Sequence, residues 1–384
     1  MGGIYQNSYV SIAATKSANS SMKCLVERRK PVKILYHNTT GKEFALRARK
    51  ILDHHPSDAP HGGPAKPVGP LMSRAWALQE HVLSTRILYY TETELLFECR
   101  TSYRCECMPE RKAYPTTPSL IPKAVASKKS DAVWQAWQRV VEYYTMRDLT
   151  FPTDKFPAIS GIAGKIRKAT HSDYIAGLWK GNLASDLLWH VGRSKTQRPD
   201  NLALETWRAP SFSWASLDAP VTYITLDDDE RATFEPTIAI VSYTIMTAGL
   251  NPLGAISKGS LTLRGPAMST TLSSDYNHGK REYTLVIKGT SSIVITHDSL
   301  LTEAEYQTSG EEMQRTVRRA KAGDSISDFK ATVLCLSVVR YDNIVAGLVL
   351  GVSTQDPSAW ERLGTFAAGT EATLESMEKE LVLV

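Results

Sequence analysis

Apolar positions recur at helical spacing in the first half of the chain and at strand spacing in the second. Behind Ser130-Asp131, which is placed to cap a helix, Val133, Trp134, Trp137, Val140, Val141 and Tyr144 return every three or four residues. They predict a helix with one wide apolar face. Thr153-Asp154 is read as the cap of a second helix, whose stripe is Phe156, Ile159, Ala163 and Ile166. A shorter helix starts at Ser73, and the three are expected to pack together. Strands are predicted at Tyr9–Ala13, Arg86–Tyr90 and Glu94–Cys99. Val32–His37 is expected to pair with Glu43–Arg49 across Asn38-Thr39-Thr40-Gly41, residues that tolerate a tight turn. Pro56–Pro70, dense in proline and glycine, reads as a loop.

Past about Val221 the texture changes to short β-rich runs. These are Leu261–Leu263, Tyr283–Ile287, Ile293–Thr296, Thr332–Val339, Leu348–Leu350 and Leu381–Val384, punctuated by glycine. One helix is expected among them near 311–322, because its acidic residues come first and Arg318, Arg319 and Lys321 come last, as a helix dipole favours. The expected fold class is α+β. A helical or mixed α/β core would run through residue 222, and an antiparallel β-rich module would occupy 223–384.

Composition narrows the classes of function. The 384 residues are 42% hydrophobic, enough for a sizeable core. The 45 basic and 40 acidic residues are interleaved, giving +5 overall, which suits mild attraction for anions and not a nucleic-acid footprint, so no nucleic-acid partner is expected. No apolar run approaches the roughly 20 residues of a membrane-spanning helix. The five cysteines, an odd number, point to a reducing compartment, and the expectation is a cytoplasmic protein.

Five segments carry a family likeness. Ser73–Arg86 reads SRAWALQEHVLSTR and leads into Arg-Ile-Leu-Tyr-Tyr. Met1–Ala14 reads MGGIYQNSYVSIAA, and Leu149–Ala163 reads LTFPTDKFPAISGIA. Tyr174–Trp189 contains Tyr-x-Ala-Gly-Leu-Trp and then Leu-Leu-Trp, and Ala209–Asp218 reads APSFSWASLD. In this order they resemble the core of the fungal heterokaryon-incompatibility domain. The closing GLVLGVS and WERLGTF stretches look like the tail of such proteins. The resemblance implies fungal non-self recognition and incompatibility-triggered cell death, with this chain as scaffold or sensor and another incompatibility protein as partner. That family usually opens with an α/β segment containing Tyr-x-x-Leu-Ser-Tyr-x-Trp-Gly, a stretch that does not occur here. Relatives of the segment have been likened to Toll/interleukin-receptor domains, some of which cleave NAD. The chain is therefore expected to lack that third, to need no cofactor and not to hydrolyse NAD.

Candidate chemistry is sparse. Arg74, Gln79 and Glu80 share one short helix, and Glu80 is the residue to test as general acid or base. Residues six apart are turned by about 120°, so Arg74 and Glu80 need not meet, and a structural polar network is the preferred reading. Trp76 and Leu78 are expected in the core. Trp179, Trp189, Trp207 and Trp214 crowd a short span that would either frame a small-molecule cleft or fill the core. Ser211-Phe212-Ser213-Trp214 reads as a strand with the aromatics on one face and hydroxyls on the other. Trp76, Gln79, Trp179, Ser213 and Trp214 are thus the ligand-binding candidates, with an enzyme of fungal secondary metabolism as the competing class. A triad of Ser213 or Ser216 with His190 and Asp218 cannot be assembled from sequence. Cys99, Cys105 and Cys107 lack the paired spacing of a zinc site, His54, His55 and His61 could join only through the fold, and no metal is expected.

Overall fold

The computed structural model describes residues 2–25, 32–48, 69–92, 94–106, 119–192, 202–277, 280–286, 292–308, 312–369 and 377–384. His54, His55, His61 and Cys107, and nearly all of the proline-rich stretch, lie outside them. The chain forms two units: Met1–Thr150 with Gly161–Ile166, and Phe151–Ser160 with Arg167–Val384. A boundary at residue 222 falls inside the second unit, where Val221–Thr222 pairs with His190–Val191.

The expected helical or mixed α/β core is not what forms. The structure is 42% strand and 24% helical, and its largest element is a ten-stranded mixed sheet. Part of the reason is that one expected helical stretch starts as short turns. The segment after Thr153-Asp154 makes two 3-10 turns, and the α-helix begins only at Ser160.

In the first unit, α1 (Gly2–Asn7) precedes β1 (Ser11–Ala13). The ribbon of β2 (Val32–His37) and β3 (Glu43–Ala48) forms as the pattern predicts. Asn38 Oδ1 shapes its loop by accepting from the Thr40 and Lys42 amides at 3.1 and 2.9 Å, and Gly41 takes φ 76°. Next come α2 (Pro70–Ser73) and α3 (Ala75–Leu83). The latter ends where the Ser84 amide and hydroxyl both turn back to the Glu80 carbonyl, at 3.2 and 2.7 Å. β1 runs parallel to β4 (Arg86–Tyr90), which continues antiparallel to β5 (Leu95–Cys99) and β6 (Tyr103–Cys105). Then follow α4 (Leu120–Ala126) and α5 (Ser130–Thr145), and α5 buries all six apolar residues of the predicted stripe. α3 packs on α5. Gly161, near the start of α6 (Ser160–Thr170), sits so close to α3 that a Cβ there would lie 2.6 Å from Gln79 Oε1.

In the second unit, the strands Phe329–Tyr341, Ile344–Val352, Trp360–Gly369, Met377–Leu383 and Ile256–Asn277 pair in sequence. Ile256–Asn277 also pairs with Phe329–Tyr341, which closes a ring of five. Pairing is antiparallel except at Trp360–Leu383. Closure removes sheet edges, and Leu272, Tyr283, Val333, Leu363 and Phe366 are among the residues of its core. Gly347 lies against the carbonyl oxygen of Leu336 with no room for a Cβ. Gly347→Ala is accordingly expected to cost at least the 1–3 kcal/mol typical of overpacking, read as a lower denaturation midpoint; an unchanged midpoint would contradict this packing.

The helix expected near 311–322 is a strand. Gln314–Arg319 pairs with Leu301–Tyr306 and buries Val317 in the core. Arg318 turns to Asp324 at 2.7 and 2.9 Å. Tertiary pairing outweighs the charge order that favoured a helix.

Candidate functional site

Arg74 stands at the N-cap of α3, whereas Gln79 and Glu80 lie within it. Arg74 is exposed, and it is its backbone that is held, in a bridge to Asp148 with the Ala75 amide donating to the Asp148 carbonyl at 2.9 Å. Gln79 is buried and accepts from the Gly161 amide at 2.5 Å. Glu80 is half-buried and bonded to the Tyr5 hydroxyl. Burial raises the Glu80 carboxyl, against the opposing pull of the Tyr5 bond and the Arg74 charge. Tyr5 is pushed up to about 12, by burial first and then by Glu80. Leu78 is fully buried as expected, whereas Trp76 is only partly so.

The next residue on the helix, His81, belongs to a cluster that sequence reasoning missed. Its Nε2 lies 2.8 Å from Glu98 Oε2 and 2.6 Å from the Tyr89 hydroxyl, which donates to the same Oε2 at 2.5 Å. All three are buried, and the side chain of Glu98 is 0% exposed. Burial and then Glu98 push the Tyr89 phenol well above its ordinary value. Arg147 nearby is lowered to about 10 by burial. His81 Nδ1 and two Arg147 nitrogens, Nε and Nη1, are buried without a hydrogen-bond partner among the described residues. A signal for this cluster was present. Strand alternation turns Ile87, Tyr89, Leu96 and Glu98 inward, and a carboxylate at an inward position must be paired.

Trp179, Ser213 and Trp214 belong to the second unit and are all fully buried. The pairs Tyr174–Ile175 and Leu178–Trp179 are joined by Ala176-Gly177, both at positive φ (50° and 95°), the backbone of a tight two-residue hairpin. Its two carbonyls are captured by the APSFSWASLD segment. Ser213 Oγ donates to the Ala176 carbonyl at 2.6 Å, and Trp214 Nε1 donates to the Gly177 carbonyl at 3.0 Å. Ser213 Oγ also accepts from the Ala215 amide, capping the 3-10 turn Trp214–Ser216. Ser211–Trp214 is thus a buried turn and not the expected strand, because its hydroxyls satisfy enclosed backbone groups. Trp179 is placed by its backbone amide, which donates to Asp186 Oδ2 at 2.8 Å, and by the ring of Tyr174, 5.0 Å away. Of the residues considered for a triad, Ser213 bonds the Ala176 carbonyl, His190 meets Thr222 at 3.0 Å, and Asp218 meets Lys155 and Arg208.

Lys155 is buried with its amine 3.2 Å from the exposed Asp218 carboxylate, which also takes Arg208 at 2.8 Å. Burial lowers Lys155 from 10.5 to about 8, Asp218 opposing and Arg208 assisting. Between those two pH values the unfolded chain binds more protons than the folded one, so this residue makes stability rise with pH. Lys155→Met is expected to be more stable than the parent at pH 7 and to lack part of the parent's rise above pH 8 in denaturation midpoint. Parallel profiles would contradict the buried amine.

The densest polar centre of this unit is Arg362, which with Asp298 is 0% exposed. Its fork meets Asp298 at 2.8 and 3.0 Å, donates to the Leu187 carbonyl at 2.6 Å and also donates to the Trp189 carbonyl. The guanidinium lies 3.5 Å from the Trp189 ring centroid. Its amide donates to Ser211 Oγ at 2.8 Å, and Trp189 Nε1 donates to the Phe212 carbonyl at 2.8 Å. Cys99 Sγ stands 3.3 Å from the Ser102 hydroxyl, and no cluster of metal-ligating residues occurs among the described residues. No helix among them is long and apolar enough to cross a membrane. No family model, curated protein or solved structure matches the chain.

Proposed function

We propose that this chain acts in the cytoplasm as scaffold and sensor in fungal non-self recognition of the heterokaryon-incompatibility type, and that it acts without catalysis. The supporting observation is the use the fold makes of the resembling segments. Ser213 and Trp214 of one hold the Ala176-Gly177 turn of another, and Lys155 of a third pairs with Asp218. Their hydroxyl and indole groups are spent on backbone, which suits a rigid platform. The test is regulated expression of the full chain in a filamentous fungus, scored as growth arrest, beside the Glu80→Gln variant. Arrest by both supports the scaffold; no arrest by either counts against it.

A second reading rests on one observation. The half-buried Glu80 carboxyl, raised by burial and bonded to Tyr5, has the character of a general acid that α3 presents near the Arg74 charge. Arrest by the parent that is lost in a normally folded Glu80→Gln variant would favour this enzymatic reading over the scaffold.

A further inference from the structure

We propose that the chain forms a two-fold dimer in which the edge strand Ala239–Thr247 pairs with its copy in a second chain. This strand reads AIVSYTIMT and runs antiparallel to the first part of Ile256–Asn277. No strand among the described residues pairs with its other edge, so alternate residues turn amide and carbonyl groups outward there. All nine residues are exposed or partly buried, with Val241 at 44% and Met246 at 53%. Edge strands are usually shielded by shortness, charge, proline or a bulge. Two other ends of the sheet follow that rule, since Glu235–Pro236 and Ile293–Val294 have two residues each and the first ends in proline. Ala239–Thr247 has neither charge nor proline. Register shifts at Val241 and between Met246 and Thr247 are its only such device, and they leave Ser242–Met246 in unbroken register.

The order of residues on this edge selects a second copy as its occupant. Outward from Tyr243, Ser242 matches Thr244, Val241 matches Ile245, Ile240 matches Met246, and Ala239 stands against Thr247. Antiparallel pairing about a two-fold axis at Tyr243 sets each residue opposite its match, because an isologous contact brings residue i to j and j to i. Hydroxyl then meets hydroxyl, β-branched meets β-branched, and apolar meets apolar. Such cross-strand pairs stabilise a sheet, and no like charges face each other. A partner recognised by charge finds nothing on this strand to bind. The Tyr243 hydroxyl donates to Asp173 Oδ2 at 2.7 Å, and Lys180 Nζ lies 5.5 Å from its ring centroid. These contacts occupy the side chain and leave the backbone edge open. One strand edge covers less than the roughly 800 Å² per partner of a standard interface, so the dimer is a weak one that exchanges with monomer. This inference is independent of the scaffold reading.

Sedimentation equilibrium of the full chain over a range of concentrations tests it. The mass of the parent is expected to rise from that of one chain toward that of two and to stop there. Ser242→Lys with Thr244→Lys sets like charges across both pairs that flank the axis, and should weaken association by roughly tenfold. Ser242→Glu with Thr244→Lys instead sets opposite charges across the same two pairs, and should associate at least as well as the parent. Both side chains are exposed, so both variants should keep the melting midpoint that the parent shows in dilute solution. A parent that stays monomeric at every concentration would overturn the proposal. So would growth beyond two chains, association untouched by the two lysine substitutions, or an equal loss in the two variants.

Discussion

Replacing Arg362 with alanine is expected to destabilise the second unit by about 3–5 kcal/mol, a large share of a domain's net stability. The size follows from what the guanidinium leaves behind. Asp298 would stay fully buried as an unpaired carboxylate, and the Leu187 and Trp189 carbonyls would lose their donor. Arg362→Lys restores the charge without the planar fork, so it recovers part of the loss and no more. Asp298→Ala strands the opposite charge and is expected to cost a similar amount. Urea denaturation measures all three, and a shift under about 1 kcal/mol for Arg362→Ala would mean that the centre is not closed as described.

Glu98→Ala is expected to have the second large effect, in the first unit. Glu98 Oε2 accepts from the Tyr89 hydroxyl and lies 2.8 Å from His81 Nε2, so its removal takes a shared partner from two buried groups beside Arg147. Losing a buried polar partner costs about 1–3 kcal/mol. Glu98→Gln keeps an acceptor oxygen and should lose less. Hydrogen exchange localises the change, with protection falling first in β4, β5 and α3. Equal protection in parent and variant would make the cluster incidental to folding.

Local patterns were legible in the sequence, and long-range closures were not. The α5 stripe and the β2–β3 ribbon follow from spacing and turn residues within one segment, and the β-rich runs past Val221 fall in strands for the same reason. Nothing local shows that Ile256–Asn277 is long enough to pair with both Met377–Leu383 and Phe329–Tyr341 and so close a ring. The strand at Gln314–Arg319 was hidden because its burial depends on Leu301–Tyr306 and its charges on Asp324 and Ser216. Trp76 misled through its size, which says nothing of which way a short helix faces. Arg74 and Glu80 drew attention as polar groups on a core helix, yet the enclosed pairing one residue on, at His81, depends on strand partners the helix pattern cannot reveal. Arg362 and Asp298 meet across 64 residues, with no motif linking them.

That the resembling segments serve as framework is tested most directly by the thermal midpoint of Ser213→Ala. The change removes the donor to the Ala176 carbonyl and the acceptor for the Ala215 amide in a fully buried site. A loss of about 1–3 kcal/mol is expected, and a unit of this size shifts by roughly 2–4 °C for each kcal/mol. The predicted result is a midpoint lowered by several degrees. A midpoint equal to the parent's, together with loss of growth arrest in the expressing fungus, would contradict the framework role and make Ser213 a functional group in its own right.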